Sequence, residues 1–431
     1  MLRAALAISL AALAAACVTT VDGNDEVPDL DKLESSVNNR YIVLLKQDTT
    51  SAAIMTQDLA AAHGFQATRV FQSAVRGFVF SGTPAQVEAL RADPSVAFVE
   101  PDIIVSLGEP PDWCQYVPDH PDCTGDKPWW CEYAPDHPWC GGDGDDPPDD
   151  PGDPPDDPGD PPDDPGDPPD DPGDPGTQQT PWGITRVGGP AGAATATAWI
   201  IDTGIDFEHA DLNVDTARSR SFVTTEGGTG DDNQGHGTHV AGTIAALDNG
   251  IDVVGVVPGT AVVAVKVLDA SGRGALSDVV AGIDYVAQNA AAGDVANMSL
   301  GAPGPQESLD QAVRNAADRG IYFAIAAGND AADASGYSPA AVEHANVFTV
   351  SAIGEDDCIA SFSNFGAPVD TAAPGVDVLS TANGGGTTVL SGTSMATPHV
   401  AGLLLAGGGA INSDGAACND PDGVADPIAH R

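Results

Sequence analysis

Short apolar runs separated by helix-length stretches recur along much of the chain, and their spacing divides it before any chemistry is considered. Between residues 38 and 105 the order is a strand (YIVLLK, 41–46), a helix with apolar positions from Ile54 to His63, a strand pair around VRGFVFSG (75–82), a second helix (Thr83 to Ala92) and a last strand (VAFVEPD, 96–102). Thr83 and Pro84 read as N-cap and first helical residue: the threonine hydroxyl accepts a backbone N–H, and proline at that position has no useful N–H to lose. From residue 177 onward five apolar runs stand out: ATAWII (196–201), VVAVKVL (262–268), DVANMSL (294–300), YFAIAAG (322–328) and VFTVSAI (347–353). Helical stretches at 277–291 and 309–319 lie between them.

The first pattern, β-α-β-β-α-β, predicts a small α+β unit of the ferredoxin-like, split β-α-β kind. The second consists of continuous apolar runs, which suit strands covered on both faces. Residues 177–431 are therefore expected to form a doubly wound α/β domain with a mostly parallel sheet, its functional residues at the carboxyl ends of strands. Between the two units the apolar pattern stops. Residues 112–140 hold a tandem repeat, DWCQYVPDHPDC and WWCEYAPDHPWC, each copy enclosing eight residues between cysteines (Cys114/Cys123 and Cys131/Cys140). Two local disulfides are the simpler reading in an exported protein, and thiolates joined by His120 and His137 on a metal are the sharper one. Residues 141–176 carry DPPDDPG four times over, where proline blocks a regular ladder and the aspartates repel one another, so a stiff, solvated polyproline spacer is expected.

That spacer accounts for much of the net charge of −47, so the charge says little about the folded units, and with Lys and Arg numbering only 16 there is no basic cluster to bind nucleic acid. Residues 1–17, MLRAALAISLAALAAAC, have one positive charge, a short apolar core and small residues at the end, the layout of a secretory signal. The Ala-Ala-Ala-Cys17 ending resembles a bacterial lipoprotein signal, with Cys17 as the lipidation point, so the expectation is an exported protein, either extracellular or a cell-surface lipoprotein whose membrane contact is only through that lipid. No other apolar run approaches the length of a membrane helix.

Three segments carry candidate chemistry. IIDTGID puts Asp202 where a strand gives way to a turn, a place where a carboxylate is buried and aimed. DNQGHGTHVAGT sets His236 between two glycines at the start of a helix, where partners can approach the ring and the positive helix end disfavours imidazolium. LSGTSMATPHVAG places Ser394 at another helix start, with outward backbone N–H groups ready for an oxyanion, and Pro398 is expected in the first turn of that helix. His399 sits five residues on, about 140° around the helix, so it cannot serve Ser394. The order Asp202, His236, Ser394 is one of the chain orders in which serine, histidine and aspartate are known to form a catalytic triad.

IIDTGID, GHGTHVAGT, NMSLG, AAGND and GTSMATPHVAG together resemble the subtilisin-like serine proteases, or subtilases (peptidase S8), and look most like the proteinase K branch. The resemblance implies a secreted serine endopeptidase that needs no cofactor for its chemistry, with Ser394 as nucleophile, His236 as general base, Asp202 as orienter and Asn329 as oxyanion donor. It makes Ser299, Leu300 and Gly301, and Gly272, Arg273 and Gly274, the two edges that pair with a polypeptide substrate. It also implies structural calcium, placed by alignment at Ala345, Val347 and Asp370, while DPDGVAD (420–426) holds a fragment of a calcium-loop pattern. Residues 38–105 are similar to the inhibitory I9-type propeptide of the family, which makes the chain a self-processing zymogen whose own propeptide is its first partner.

Two features depart from the family pattern. About seventy residues separate the propeptide from the protease start at Thr180-Pro181-Trp182-Gly183, which leaves the processing site anywhere between 105 and 181, and the end of the chain lacks a clear last helix. Cys358 and Cys418 are either bridged or free. Rival readings are an aspartic protease built on Asp202-Thr203-Gly204, an α/β-hydrolase using Ser394, Asp420 and His430, a zinc pair at His236 and His239, and an inactive subtilase serving as an adhesin.

Overall fold

The computed structural model describes residues 37–47, 50–107, 177–223, 226 and 228–431. The signal, the cysteine repeat and the acidic spacer lie outside the described residues.

The N-terminal unit runs β1 (Arg40–Leu45), α1 (Ala52–His63), β2 (Ala67–Phe71), β3 (Gly77–Ser81), α2 (Pro84–Arg91), β4 (Val96–Pro101) and β5 (Ile104–Ser106). β1 to β4 form an antiparallel sheet in the order β2-β3-β1-β4, the ferredoxin-like arrangement. Helix α2 begins as expected, with a capping box between Thr83 and Gln86 and Pro84 in the first turn. The strand pair expected at 75–82 is displaced: only β3 lies there, and β2 falls earlier at Ala67–Phe71. The sequence ATRVF hides it, since Thr68 and Arg69 interrupt the apolar run and Arg69 points its guanidinium into a partner surface.

The larger unit begins with α3 (Trp182–Arg186), β6 (Ala198–Asp202), β7 (Arg220–Ser221) and α4 (His236–Ala245). It continues through β8 (Val262–Lys266), β9 (Arg273–Ala275), α5 (Leu276–Asn289), β10 (Val295–Met298), β11 (Ala302–Pro303), α6 (Glu307–Ala317) and β12 (Tyr322–Ala326). It closes with β13 (Tyr337–Ser338), β14 (Val347–Ile353), β15 (Thr371–Pro374), β16 (Val378–Thr381), β17 (Thr387–Leu390), α7 (Thr393–Gly407), β18 (Asn412–Ala416) and β19 (Pro427–His430). Nine strands make one sheet in the order β18-β19-β15-β14-β12-β10-β6-β8-β7, parallel except for β18. This is the doubly wound α/β domain that the apolar runs implied. Helices α5 and α6 cover one face, while α4 and α7 pack on the other with a second apolar cluster.

Where the sequence shows no last helix, the chain instead adds β18 and β19 to the sheet edge. Cys358 and Cys418 are joined, and backbone bonds run from Ile359 N–H to Cys418 O and from Cys418 N–H to Asp357 O beside them. The sequence DPDGVAD closes on itself there, with Asp420 accepting the Asp422 and Asp426 N–H groups, while Asp426 takes the Ser351 hydroxyl.

The bridge closes a span of 60 residues and fastens the terminal hairpin to the domain. Loop closure of this size predicts a loss of roughly 2–4 kcal/mol when it is removed. A Cys358→Ala/Cys418→Ala double variant is expected to unfold several degrees lower in calorimetry, and an unchanged midpoint would show the bridge to be dispensable.

Candidate active site

Asp202 ends β6 and is fully buried. Its Oδ1 accepts the Thr203 N–H (2.7 Å) and the His236 Nδ1–H (2.8 Å). His236 opens α4 directly after Gly235, whose φ of 118° turns the chain into the helix. The helix start can come this close because residue 237 is glycine: a Cβ there would strike the Gly204 carbonyl and the Asp202 side chain. The imidazole is thus held by one carboxylate oxygen at the end of a fully buried strand.

Ser394 lies in the first turn of α7, behind Gly392. The helix starts at Thr393, so Pro398 is its sixth residue rather than part of its first turn as expected. Proline in the second turn removes the bond that the Ser394 carbonyl would have received. The structure replaces it, because the Ser299 hydroxyl donates to the Ser394 carbonyl at 2.8 Å. In return the Ser394 hydroxyl donates to the Ser299 carbonyl at 3.2 Å. A helix-breaking residue is tolerated here by a side chain from the neighbouring strand end.

Asn329 follows β12 and Gly328, and its Oδ1 accepts both the Thr393 N–H (2.9 Å) and the Thr393 hydroxyl (3.0 Å). That fixes the amide with Nδ2 as its donor end beside Ser394. His236, Asn329 and Ser394 line one cavity of about 530 Å³, together with Leu107, Gln234 and Leu390. His430, in β19, and Asp420 are not among its lining residues, so the hydrolase arrangement with Ser394 is not formed. Asp202 is engaged with His236 rather than with a second carboxylate, which removes the basis of the aspartic-protease reading.

The two expected edges hold a strand between them. β5 pairs antiparallel with β9, matching Ile104 with Ala275, Val105 with Gly274 and Ser106 with Arg273. On its other side the Gly301 N–H donates to the Ser106 carbonyl, and past β5 the Leu107 N–H donates to the Gly272 carbonyl. Ser299 and Leu300 lead into this edge, both buried. The chain therefore enters the cleft from the N-terminal unit and reaches the cavity of Ser394 at Leu107.

Charge complementarity seats the rest of that unit. Glu100 accepts the Glu307 and Ser308 N–H groups at the start of α6, and Asp102 accepts the N–H and hydroxyl of Ser277 at the start of α5. Each carboxylate meets the positive end of a helix. From the other side, Asp284 accepts the N–H groups of Gln72, Ser73 and Ala74. Burial of this seat raises the Glu100 pKa, against the opposing pull of its hydrogen bonds. Apolar residues of both units form one continuous cluster beneath these contacts.

Several working residues gave no signal in the sequence. Thr393 and the Ser299 hydroxyl act through partners far along the chain. Lys266 is buried in β8, and its ammonium donates to the Thr203 and Leu268 carbonyls and to Asn233, tying the Asp202 turn to the loop before His236. His239, weighed above as a zinc partner, is fully buried and donates from Nε2 to the Val378 carbonyl. Among the described residues no three His, Cys, Asp or Glu side chains gather as a metal site.

A serine hydroxyl, a carboxylate-held imidazole, an amide donor and a strand-shaped cleft filled by the chain's own N-terminal unit define a serine endopeptidase in its zymogen form. Residues 197–406 match the profile of the Subtilase family, and residues 40–108 match that of Peptidase inhibitor I9. Subtilisin BL of Lederbergia lenta is 48% identical over 232 residues, covering 52% of this chain and 82% of that protein. M-protease of Shouchella clausii (strain KSM-K16) is 47% identical over 233 residues, 52% of this chain and 59% of that one. Proteinase T of Parengyodontium album is 44% identical over 242 residues, 52% of this chain and 79% of that one. The solved structure described as a cold adapted subtilisin-like serine proteinase superposes with a TM-score of 0.50 at 36% identity, covering 58% of this chain and 97% of that one. The chain belongs to the subtilase family.

Two buried imidazoles near the site have a measurable consequence. Burial lowers the pKa of His239 to about 3 and that of His399, whose Nδ1–H donates to the Met395 carbonyl, to about 4. The unfolded chain protonates first, so their contribution to stability begins to fall as pH drops through 6.5 and keeps falling until about 4 for His399 and about 3 for His239. Asp426, raised to about 7, and Asp211 and Asp370, each raised to about 6, all chiefly by burial, push the opposite way over the same range, so the test is a change of slope. In a Ser394→Ala background, urea unfolding between pH 4 and 6 should show the slope of stability against pH shifted for His399→Gln by about 1.4 kcal/mol per pH unit, toward greater stability at acid pH. An unaltered slope assigns the acid sensitivity elsewhere.

Proposed function

We propose that Ser394 is the nucleophile of a broad-specificity, exported endopeptidase, that His236 takes its proton and passes it to the leaving amine, and that Asp202 holds the ring and stabilises imidazolium. The observation that carries this reading is the seating of β5 between the two edges, ending at Leu107 in the cavity of Ser394 and His236. A peptide held that way is recognised through its backbone, so most sequences qualify. Its carbonyl oxygen, once attacked, is met by the Ser394 N–H and Asn329 Nδ2, donors already fixed by the turn at Gly392 and by Thr393. Collapse of the tetrahedral adduct leaves an acyl-enzyme, which a water molecule, activated by the same imidazole, then hydrolyses. The intact Asp202–His236 pair leaves nothing in support of the inactive adhesin. Export rests on the leader at 1–17, and Cys17, its candidate lipidation point, lies outside the described residues.

The position of Leu107 supports a self-cleavage close by. The chain reaches the nucleophile there, so the scissile bond falls within the next few residues, and the cysteine repeat and spacer stay attached to the mature enzyme. Expression of the parent beside Ser394→Ala tests both points. The parent is expected to hydrolyse casein and to show a new N-terminus between residues 108 and 112, while Ser394→Ala stays full length. Equal maturation of both, with no reaction toward a fluorophosphonate, would overturn the protease reading, and an N-terminus near Thr180 would overturn the placement.

Structural calcium is best accommodated at Asp211, outside the set expected from the sequence. Asp211 is fully enclosed, and desolvation pushes its carboxyl up to about 6. Asn249 donates from Nδ2 to Asp211 and accepts the Ile251 N–H at Oδ1, while Gln178 accepts the Gly250 N–H at Oε1 and donates from Nε2 to the Leu247 carbonyl, so these segments bring a carboxylate, two amide oxygens that each keep a second lone pair and a backbone carbonyl, all suited to a hard cation. At the other set, Ala345, Val347 and Asp370, Asp370 accepts the Thr349 N–H and, although solvent-exposed as a residue, has its carboxyl raised to about 6 by desolvation. Calcium chelation is expected to shorten the half-life of activity on heating. Asp211→Asn should abolish that calcium dependence and Asp370→Asn should leave most of it; the reverse pattern would return the site to Ala345, Val347 and Asp370.

A further inference from the structure

The cavity beside Ser394 continues past the catalytic residues to a hairpin. β16 and β17 are joined by a turn containing Gly384, Gly385 and Gly386, all with positive φ (86°, 99° and 72°). From this hairpin Ala382, Asn383, Thr388 and Leu390 line the cavity. β5 fills the approach that precedes the scissile bond, so the hairpin borders the opposite side, where the residues following that bond leave the cleft.

The two strands of the hairpin are held unequally. β16 is fastened at its base, since the Ser380 and Thr381 hydroxyls donate to the His239 and Thr238 carbonyls of α4. Among the described residues β17 pairs with β16 alone, and its first three residues are exposed. Three glycines between such strands give the tip wide backbone freedom. Two side chains from the segment after Asp202 cross to it. The Asp206 carboxylate accepts the Gly384 N–H at 2.9 Å, and its own backbone is fixed because its N–H donates to the Thr238 hydroxyl. His209, nearly enclosed at 4% exposure, reaches the Gly386 carbonyl with Nε2 at 3.2 Å. Its Nδ1 accepts the Asp211 N–H, so the ring proton must reside on Nε2, and the bond to Gly386 is a donation by a single tautomer.

We propose that His209, with Asp206, is a positioning residue for the leaving-group side of the cleft: the two pin the triple-glycine tip and so set how tightly the enzyme holds substrate residues after the scissile bond. This rests on the endopeptidase reading above. His209 is not among the residues that line the cavity, and it reaches the cleft through the hairpin. Loss of its bond frees a wall whose other side is solvent, and the cost falls on substrates that touch that wall.

The test compares two substrates on the processed enzyme. One is a peptide p-nitroanilide, which has nothing beyond the scissile bond except a small leaving group. The other is an internally quenched peptide with the same residues before that bond and four residues after it. For His209→Leu, KM for the extended peptide is expected to rise roughly three- to tenfold, the size of one lost hydrogen bond, while kcat/KM for the p-nitroanilide changes less than twofold. His209→Gln, whose amide N–H can still reach Gly386, should recover most of the loss, and Asp206→Ala should reproduce it. Equal losses on both substrates, or no loss on the extended peptide, would overturn the inference while leaving the protease reading intact. Absence of activity on both substrates in the parent enzyme would overturn the protease reading itself.

Discussion

One backbone carbonyl, deprived of its helical partner by Pro398, decides the geometry of the whole site. Because the Ser394 carbonyl must find a donor outside its helix, it takes the Ser299 hydroxyl, and the nucleophile is thereby locked to the edge that binds the substrate. The residue before it, Thr393, is bonded to Asn329 through both N–H and hydroxyl. Two consecutive residues of one helix start thus reach two different strand ends, β10 and β12, and the sheet's parallel order brings those ends side by side next to β6 and Asp202. The distances among nucleophile, oxyanion donor and substrate edge are set by sheet spacing, which a doubly covered sheet keeps rigid.

The N-terminal unit exploits the same frame from outside. It presents a strand to the cleft, carboxylates to the ends of α5 and α6 and an apolar face to the space between them, three kinds of contact that each need the protease already folded to be satisfied. Conversely α5 and α6 begin without side-chain caps of their own, and Asp102 and Glu100 supply what those helix starts lack. The two units complete one another's hydrogen bonding, which explains a shared core across a boundary that is later cut.

How legible this was in the sequence varied with the range of the interactions. Asp202, His236 and Ser394 could be read because each sits in a short motif whose glycines mark a turn at a strand or helix end, and the alternation of apolar runs was enough for the parallel sheet. Pro398 was misplaced because the donor that makes it tolerable lies 95 positions upstream in the chain. β2 was misplaced because Arg69 serves the seat against α5, contacting Ser277 and Asp278, rather than the pattern of its own strand. The surroundings of Asp211 left no trace, since amides and carbonyls carry no spacing rule. The pairing of Cys358 with Cys418 was open because it depends on a backbone contact between distant segments. β18, with the sequence NSDGA and every residue exposed, has none of the apolar alternation that marks a strand.

The seat of β5 reaches beyond the site itself. Before the cut, the tail and the cleft belong to one chain, and the tail competes with any outside peptide at the high effective concentration that tethering confers. A cut just beyond Leu107, as proposed, severs that tether, because the bond broken is the one that joined inhibitor to enzyme. From then on the same contacts are a bimolecular complex, and the fraction of enzyme they occupy falls with dilution. An exported protein passes from a crowded compartment into a large volume, so the medium itself becomes the activator, with no further change in structure.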